Sequence, residues 1–228
     1  MRSAFYALRP GGWRDYVTLL HPPYTLWNLA YVAIGAALAP EWRPLRLAAG
    51  LLAFFLGLGV AAHALDELHD RPLGTRIPDR VLWAMAALAL AGAVAVGVAA
   101  AIAWTPWLGA FVAFGGFVVC AYNLELFGGR FHGDLWLVIG WATTPVLAAY
   151  LAAAGNLTWQ ALAAAVFAAL LILAQRRLST PVRLVRRRLP ESDDPVRQAL
   201  VSGAEDALRA MAGAVVALAV ALVIIRAR

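Results

Sequence analysis

The chain has 228 residues, 63% of them hydrophobic and 14% charged, with 19 arginines and no lysine against 13 acids, a formal charge of +6. A mean hydropathy of +0.73 excludes a soluble domain built on one internal core and points to a polytopic membrane protein. The basic excess is read as base composition rather than a nucleic-acid surface, and a single cysteine, Cys120, excludes an internal disulfide.

Residues 1–20 carry Arg2, Arg9 and Arg14 but no apolar core of about 7–15 residues, so they do not read as a cleavable signal peptide. A membrane-crossing helix needs about 20 mostly apolar residues. Spans are expected at Tyr24–Ala39, Leu47–Leu65, Val81–Trp104, Leu108–Leu124, Leu135–Ala154, Leu157–Ala174 and Ala210–Ile225. The last is extended backwards, because Asp194 can cap a helix whose first residue is Pro195. Gly and Ala recur through every span, as close helix packing in lipid requires. The expected fold is an all-α transmembrane bundle of about seven spans. It forms one domain over residues 1–228, with a basic linker at residues 175–209.

Arginine sets the orientation. With the N-terminus inside, the cytoplasmic loops hold 15 arginines and the outer segments hold four, Arg43, Arg46, Arg226 and Arg228. This expects an integral protein of a bacterial or archaeal plasma membrane, N-terminus cytoplasmic and C-terminus outside. The long polar loops then meet at one mouth of the bundle.

The second span runs straight into Asp66-Glu67-Leu68-His69-Asp70, with His63 one turn earlier. Acids and imidazoles at a membrane helix end are costly to place and mark function. If the helix continues to Asp70, then His63, Asp66, Glu67 and Asp70 fall at i, i+3, i+4 and i+7 on one face. Carboxylates at that spacing suit Mg²⁺, which keeps other positions for water and phosphate. The plain alternative is a solvated helix end with Asp70 paired to Arg71 or Arg76. After the fourth span, Glu125 needs a partner, with Arg130 the nearest, and Glu125 and His132 can complete a metal site with His63 and Asp66. Equally, His132 can simply bond a carbonyl. The arginine run from Arg176 and Arg177 to Arg188 suits either diphosphate or anionic lipid headgroups.

The order of these features resembles the UbiA superfamily of intramembrane prenyltransferases. That family carries Asn-Asp-x-x-Asp-x-x-x-Asp at the end of its second helix, then Arg-Pro-Leu. The matching stretch here runs from Ala62-His63 through Asp66 and Asp70 to Arg71-Pro72-Leu73. His21-Pro22-Pro23-Tyr24-Thr25-Leu26 is similar to the Arg-Pro-x-Thr-Leu that opens the family's first helix. Residues 140–150 are similar to its fifth helix. Ala62-His63 replaces the opening Asn-Asp, and residues 175–188 hold arginines where the family has a second aspartate motif. Glu191, Asp193 and Asp194 come later.

The resemblance implies a prenyltransferase or terpene cyclase acting on an isoprenoid diphosphate with Mg²⁺. Asp66, Asp70 and Glu67 would be catalytic. Arg71, Arg176, Arg177 and Asn28 would hold the ligand, and Tyr31, Trp141 and Tyr150 would line the prenyl chamber. Two alternatives stay open. One is a transition-metal enzyme built on His63, Asp66, Glu125 and His132. The other is a non-catalytic isoprenoid-lipid-binding or partner subunit.

Overall fold

The computed structural model describes residues 4–188 and 194–228, with backbone only at 187 and 188. Among them there is no strand, and the expected all-α bundle forms. A short helix α1 (Trp13–Leu19) precedes α2 (Pro22–Leu38), α3 (Pro44–Leu68), α4 (Asp79–Ala103), α5 (Leu108–Asn123), α6 (Asp134–Ala154), α7 (Trp159–Arg188) and α8 (Pro195–Ala227). Five of these, α3, α4, α6, α7 and α8, are long and apolar enough to cross a membrane. The other two expected spans are shorter. α5 has 16 residues and α2 has 17, about 24–26 Å at 1.5 Å per residue.

Local rules place the ends. Proline opens α2, α3 and α8, where its missing amide costs nothing. Asp194 caps α8 as its sequence predicts, its Oδ1 accepting from the Val196 amide at 3.0 Å. Gly155 takes the left-handed conformation, φ 77°, that ends α6. Two helices are widened within their length. α3 is π-helical over Phe55–Ala62 and α6 over Ile139–Thr143. Each widened stretch contains or immediately precedes residues of the polar site below.

α2 is the axis of the bundle, packed along α6 and α8 and buried from Ala30 through Ala37. Trp27 Nε1 donates to the Tyr31 hydroxyl at 2.6 Å, and that hydroxyl donates to the Ala168 carbonyl of α7 at 3.2 Å. Tyr31 and Tyr150 therefore belong to the packed interior rather than to an open chamber, being 0% and 1% exposed. Where α2 meets α6 the backbones touch: a Cβ on Gly35 would lie 2.3 Å from the Val146 carbonyl oxygen. Gly35→Ala is therefore expected to lower unfolding stability by about 1–3 kcal/mol. Gly109→Ala on α5, whose Cβ meets nothing within 4 Å, is expected to be neutral or slightly stabilising. Thermal unfolding of both variants in detergent checks the contrast.

Candidate functional site

One end of the bundle holds a cavity of about 280 Å³. Its wall is drawn from the N-terminal segment, the first turns of α2, the last turns of α3, the end of α5, the first half of α6, the second half of α7 and the first half of α8. Residues from the ends of α3, α5 and α7 and the first half of α8 do meet here, as the loop pattern predicts.

The last turn of α3 departs from expectation. The helix stops at Leu68, His69 is extended, and Asp70 and Arg71 adopt left-handed φ of 64° and 48°. The expected single face of four residues therefore does not form, and Asp70 points to solvent. The cause is Glu67. Its carboxylate, 0% exposed, turns back into the following loop and accepts from the Leu73 amide at 2.9 Å, the Thr75 amide at 2.8 Å and the Thr75 hydroxyl at 2.8 Å. A buried carboxylate satisfied by three donors outweighs one further helical turn. Arg71 is likewise taken up by the loop, bonding the Ile77 carbonyl at 2.7 Å and pairing with Asp79. Its expected ligand role has no counterpart in the cavity wall.

His63, Asp66, Asn28 and His132 do line the cavity. His63 is buried, its Nδ1 donating to the Gly59 carbonyl at 3.0 Å, and its ring stacks on His21 with centroids 4.1 Å apart and planes 12° apart. His21 in turn meets the Tyr6 hydroxyl through Nδ1 at 2.7 Å. His132 donates from Nδ1 to the Tyr122 carbonyl at 2.9 Å, the carbonyl bond weighed as its alternative role. Glu125 is outside the cavity. It is left-handed, φ 48°, and approaches His69 at 3.8 Å and His132 at 3.7 Å rather than Arg130.

The expected metal set of His63, Asp66, Asp70, Glu125 and His132 is thus divided between the cavity and its outer rim. Among the described residues no three His, Cys, Asp or Glu side chains converge to hold a metal ion. Asp66 and Glu205 are the carboxylates that line the cavity, and Glu205 is in an ion pair with Arg186 at 2.6 Å. This donor set does not fit a two-magnesium centre. Glu191 and Asp193 lie outside the described residues.

The cationic wall comes from α7. Arg176 bonds the Tyr122 hydroxyl at 2.8 Å and pairs with Asp134 at 2.5 Å; Arg177 also pairs with Asp134 but is 76% exposed and leaves the cavity to its neighbour. Arg183, which sequence reading did not single out, lines the cavity one α-helical heptad beyond Arg176. It bonds Ser179 and Thr180, each at 3.1 Å. The spacing of Arg176, Ser179 and Arg183 at i, i+3 and i+7 is the signal that could have found it. Trp27, Tyr122 and Trp141 share the cavity wall with the arginines, so of the three aromatic residues expected in a prenyl chamber only Trp141 is there. The N-terminal segment adds Ala4, Phe5 and Tyr6 to the cavity wall. Phe5 lies edge-on to Tyr24 at 6.3 Å and beneath the Arg209 guanidinium at 4.8 Å.

No protein-family profile matches the chain, and no solved structure matches it. Part of the chain is similar to protoheme IX farnesyltransferase from Legionella pneumophila. The enzymes of strains Corby, Paris and Philadelphia 1 are each 43% identical over 75 residues, 31% of this chain and 24% of theirs. The match spans about a quarter of the length of those relatives.

The two adjacent acids are expected to behave differently. Glu67→Ala strands three buried donors and should lower stability by about 2–4 kcal/mol. Asp66→Asn, on the cavity wall, should change it by less than about 1 kcal/mol. Denaturant unfolding of the two variants side by side measures the difference, and equal losses would contradict the assignment.

Proposed function

We propose that the chain is a UbiA-like integral membrane protein that takes an isoprenoid diphosphate into the polar cavity and transfers or cyclises its prenyl group. The observation that carries this reading is the pairing of Arg176 and Arg183 with an aromatic wall of Trp27, Tyr122 and Trp141 in one cavity at a helix-bundle end. Arginine forks match diphosphate oxygens, and indole faces favour a passing allylic cation. The local identity to a farnesyltransferase supports the prenyl class of ligand.

In this reading the prenyl C1–O bond breaks and its electron pair leaves on the diphosphate, where the two arginines stabilise the charge. The cation then meets an acceptor, or its own chain, across the aromatic wall. The proton released passes to Asp66. No step is routed through a metal, because the donor set described above does not assemble one. The Phe5–Tyr6 segment of the wall excludes water from the cation. With arginine concentrated on the same side, the cavity faces the cytoplasm.

A second reading is a subunit that binds an isoprenoid lipid without transferring it. It is favoured by the fate of the acids, since Glu67 is committed to its loop, Asp70 faces solvent and Glu205 is paired. The transition-metal alternative is disfavoured by Glu125 standing outside the cavity.

Thermal unfolding of the detergent-purified protein with farnesyl or geranylgeranyl diphosphate tests the reading. A ligand present at a hundred times its dissociation constant stabilises by about 2.7 kcal/mol. The expected result is a rise in Tm with the diphosphate but not with the free alcohol, retained in EDTA and lost in the Arg176→Gln, Arg183→Gln double variant. Release of diphosphate on turnover then separates transferase from binding subunit. No shift with either diphosphate, in protein shown to be folded, contradicts the diphosphate site.

A further inference from the structure

At the other end of α3, an apolar crevice of about 120 Å³ opens between α3, α4, α5 and α6. Its walls are cut back to small residues, among them Gly50 and Gly57 of α3, Gly97 of α4, Gly115 of α5 and Ala148 of α6. An apolar slot between membrane helices offers water no hydrogen-bond partners, so hydrocarbon fills it. A crevice of about 120 Å³ cannot hold a helix of a second copy, which is about 10–12 Å across with its side chains.

One charged side chain stands in this wall. Arg46 is half-buried, its Nη1 donates to the Ala152 carbonyl at 2.7 Å, and its guanidinium lies 5.2 Å from the centre of the Trp104 ring. Among the described residues no carboxylate pairs with it, whereas nearby Arg43 is paired with Glu41. A cation held by a carbonyl and a ring, without a counter-charge, complements a phosphate oxygen. Arg46 and Trp104 lie at the ends of their helices, the level at which a bilayer carries its headgroups. From Arg46 the lining of α3 runs on to Leu58. Those thirteen residues span about 18 Å, close to one leaflet of a hydrocarbon core about 30 Å thick.

We propose that the crevice is a specific site for one anionic phospholipid. Its phosphodiester sits on Arg46 beside Trp104, and one acyl chain runs along α3 between α4 and α5. This site is independent of the polar cavity, which lies at the opposite end of α3, and does not rest on the prenyl reading.

The test uses the full chain in phosphatidylcholine vesicles doped with a photoactivatable phosphatidylglycerol, followed by peptide mapping of the label. Label is expected to concentrate on the crevice segments of α4 and α5. Unlabelled phosphatidylglycerol should compete about fivefold better than phosphatidylcholine, and Arg46→Gln should erase that preference. Gly115→Leu should cut the crevice label, since its Cβ meets nothing within 4 Å and the rest of the side chain enters the crevice. The wild-type map and the Arg46→Gln competition stand even if that variant folds poorly. Label spread evenly over lipid-facing helices, or equal competition by the two phospholipids, would overturn the proposal. Competition by farnesyl diphosphate in place of phosphatidylglycerol would overturn it too, making the crevice a prenyl-chain channel.

Discussion

The Glu67 carboxylate and the three donors it gathers from Leu73 and Thr75 fix the geometry at the polar end of the bundle. A fully buried carboxylate is tolerated only when its oxygens are saturated, and saturating them requires the chain to turn back immediately after Leu68. That turn is reinforced from beneath. Asp15 of α1, itself buried, accepts from the Arg76 amide at 3.0 Å through one oxygen and from the Gly11 amide at 2.9 Å through the other. Arg71 then closes the loop onto Asp79 at the start of α4. Pro72 and Leu73 become cavity wall, and Asp66, one residue before the carboxylate that holds the loop, is left on the cavity side. The motif's two adjacent acids are thereby divided, Glu67 to the loop and Asp66 to the cavity wall.

From that end the same helix passes through two environments. Its final turn presents His63 and Asp66 to a polar cavity, and its first turns present Gly50 and Ala53 to an apolar crevice. Between them lies the π-helical stretch Phe55–Ala62. A widened turn shifts every later side chain around the helix axis relative to an ideal 3.6-residue spiral. It also places the Gly59 carbonyl where His63 Nδ1 reaches it, four residues on. α6 repeats the device around Trp141. In both helices the irregularity falls beside cavity residues, where neighbouring helices rather than lipid surround the backbone.

The helices were largely legible in the sequence because lipid imposes a simple length and polarity requirement on each of them. Each of the seven apolar segments falls on a helix to within two residues, and the Asp194-Pro195 start of α8 follows from capping chemistry alone. What was not legible depends on side chains that act over a distance in the chain. Extending α3 to Asp70 was a reasonable use of helical periodicity, but periodicity cannot weigh a tertiary carboxylate such as Glu67 against two more residues of helix. Glu125 was assigned Arg130 by proximity in sequence, yet its left-handed backbone sends it towards His69 and His132. Tyr31 and Tyr150 were placed in a chamber by residue type, and only the packing of α2 against its neighbours shows them to be core. Arg183 lay in a run of basic residues in which composition hides the face that matters.

In the proposed reading, the arginine and aromatic walls of the polar cavity form one isoprenoid-diphosphate site. The most direct measurement is an experimental structure of the protein with farnesyl thiolodiphosphate, an analogue whose carbon–sulfur link resists departure. The account predicts both phosphates within hydrogen-bonding distance of Arg176 and Arg183, with the prenyl chain laid against Trp27 and Trp141. An analogue bound elsewhere on the bundle, out of reach of both arginines, would contradict it.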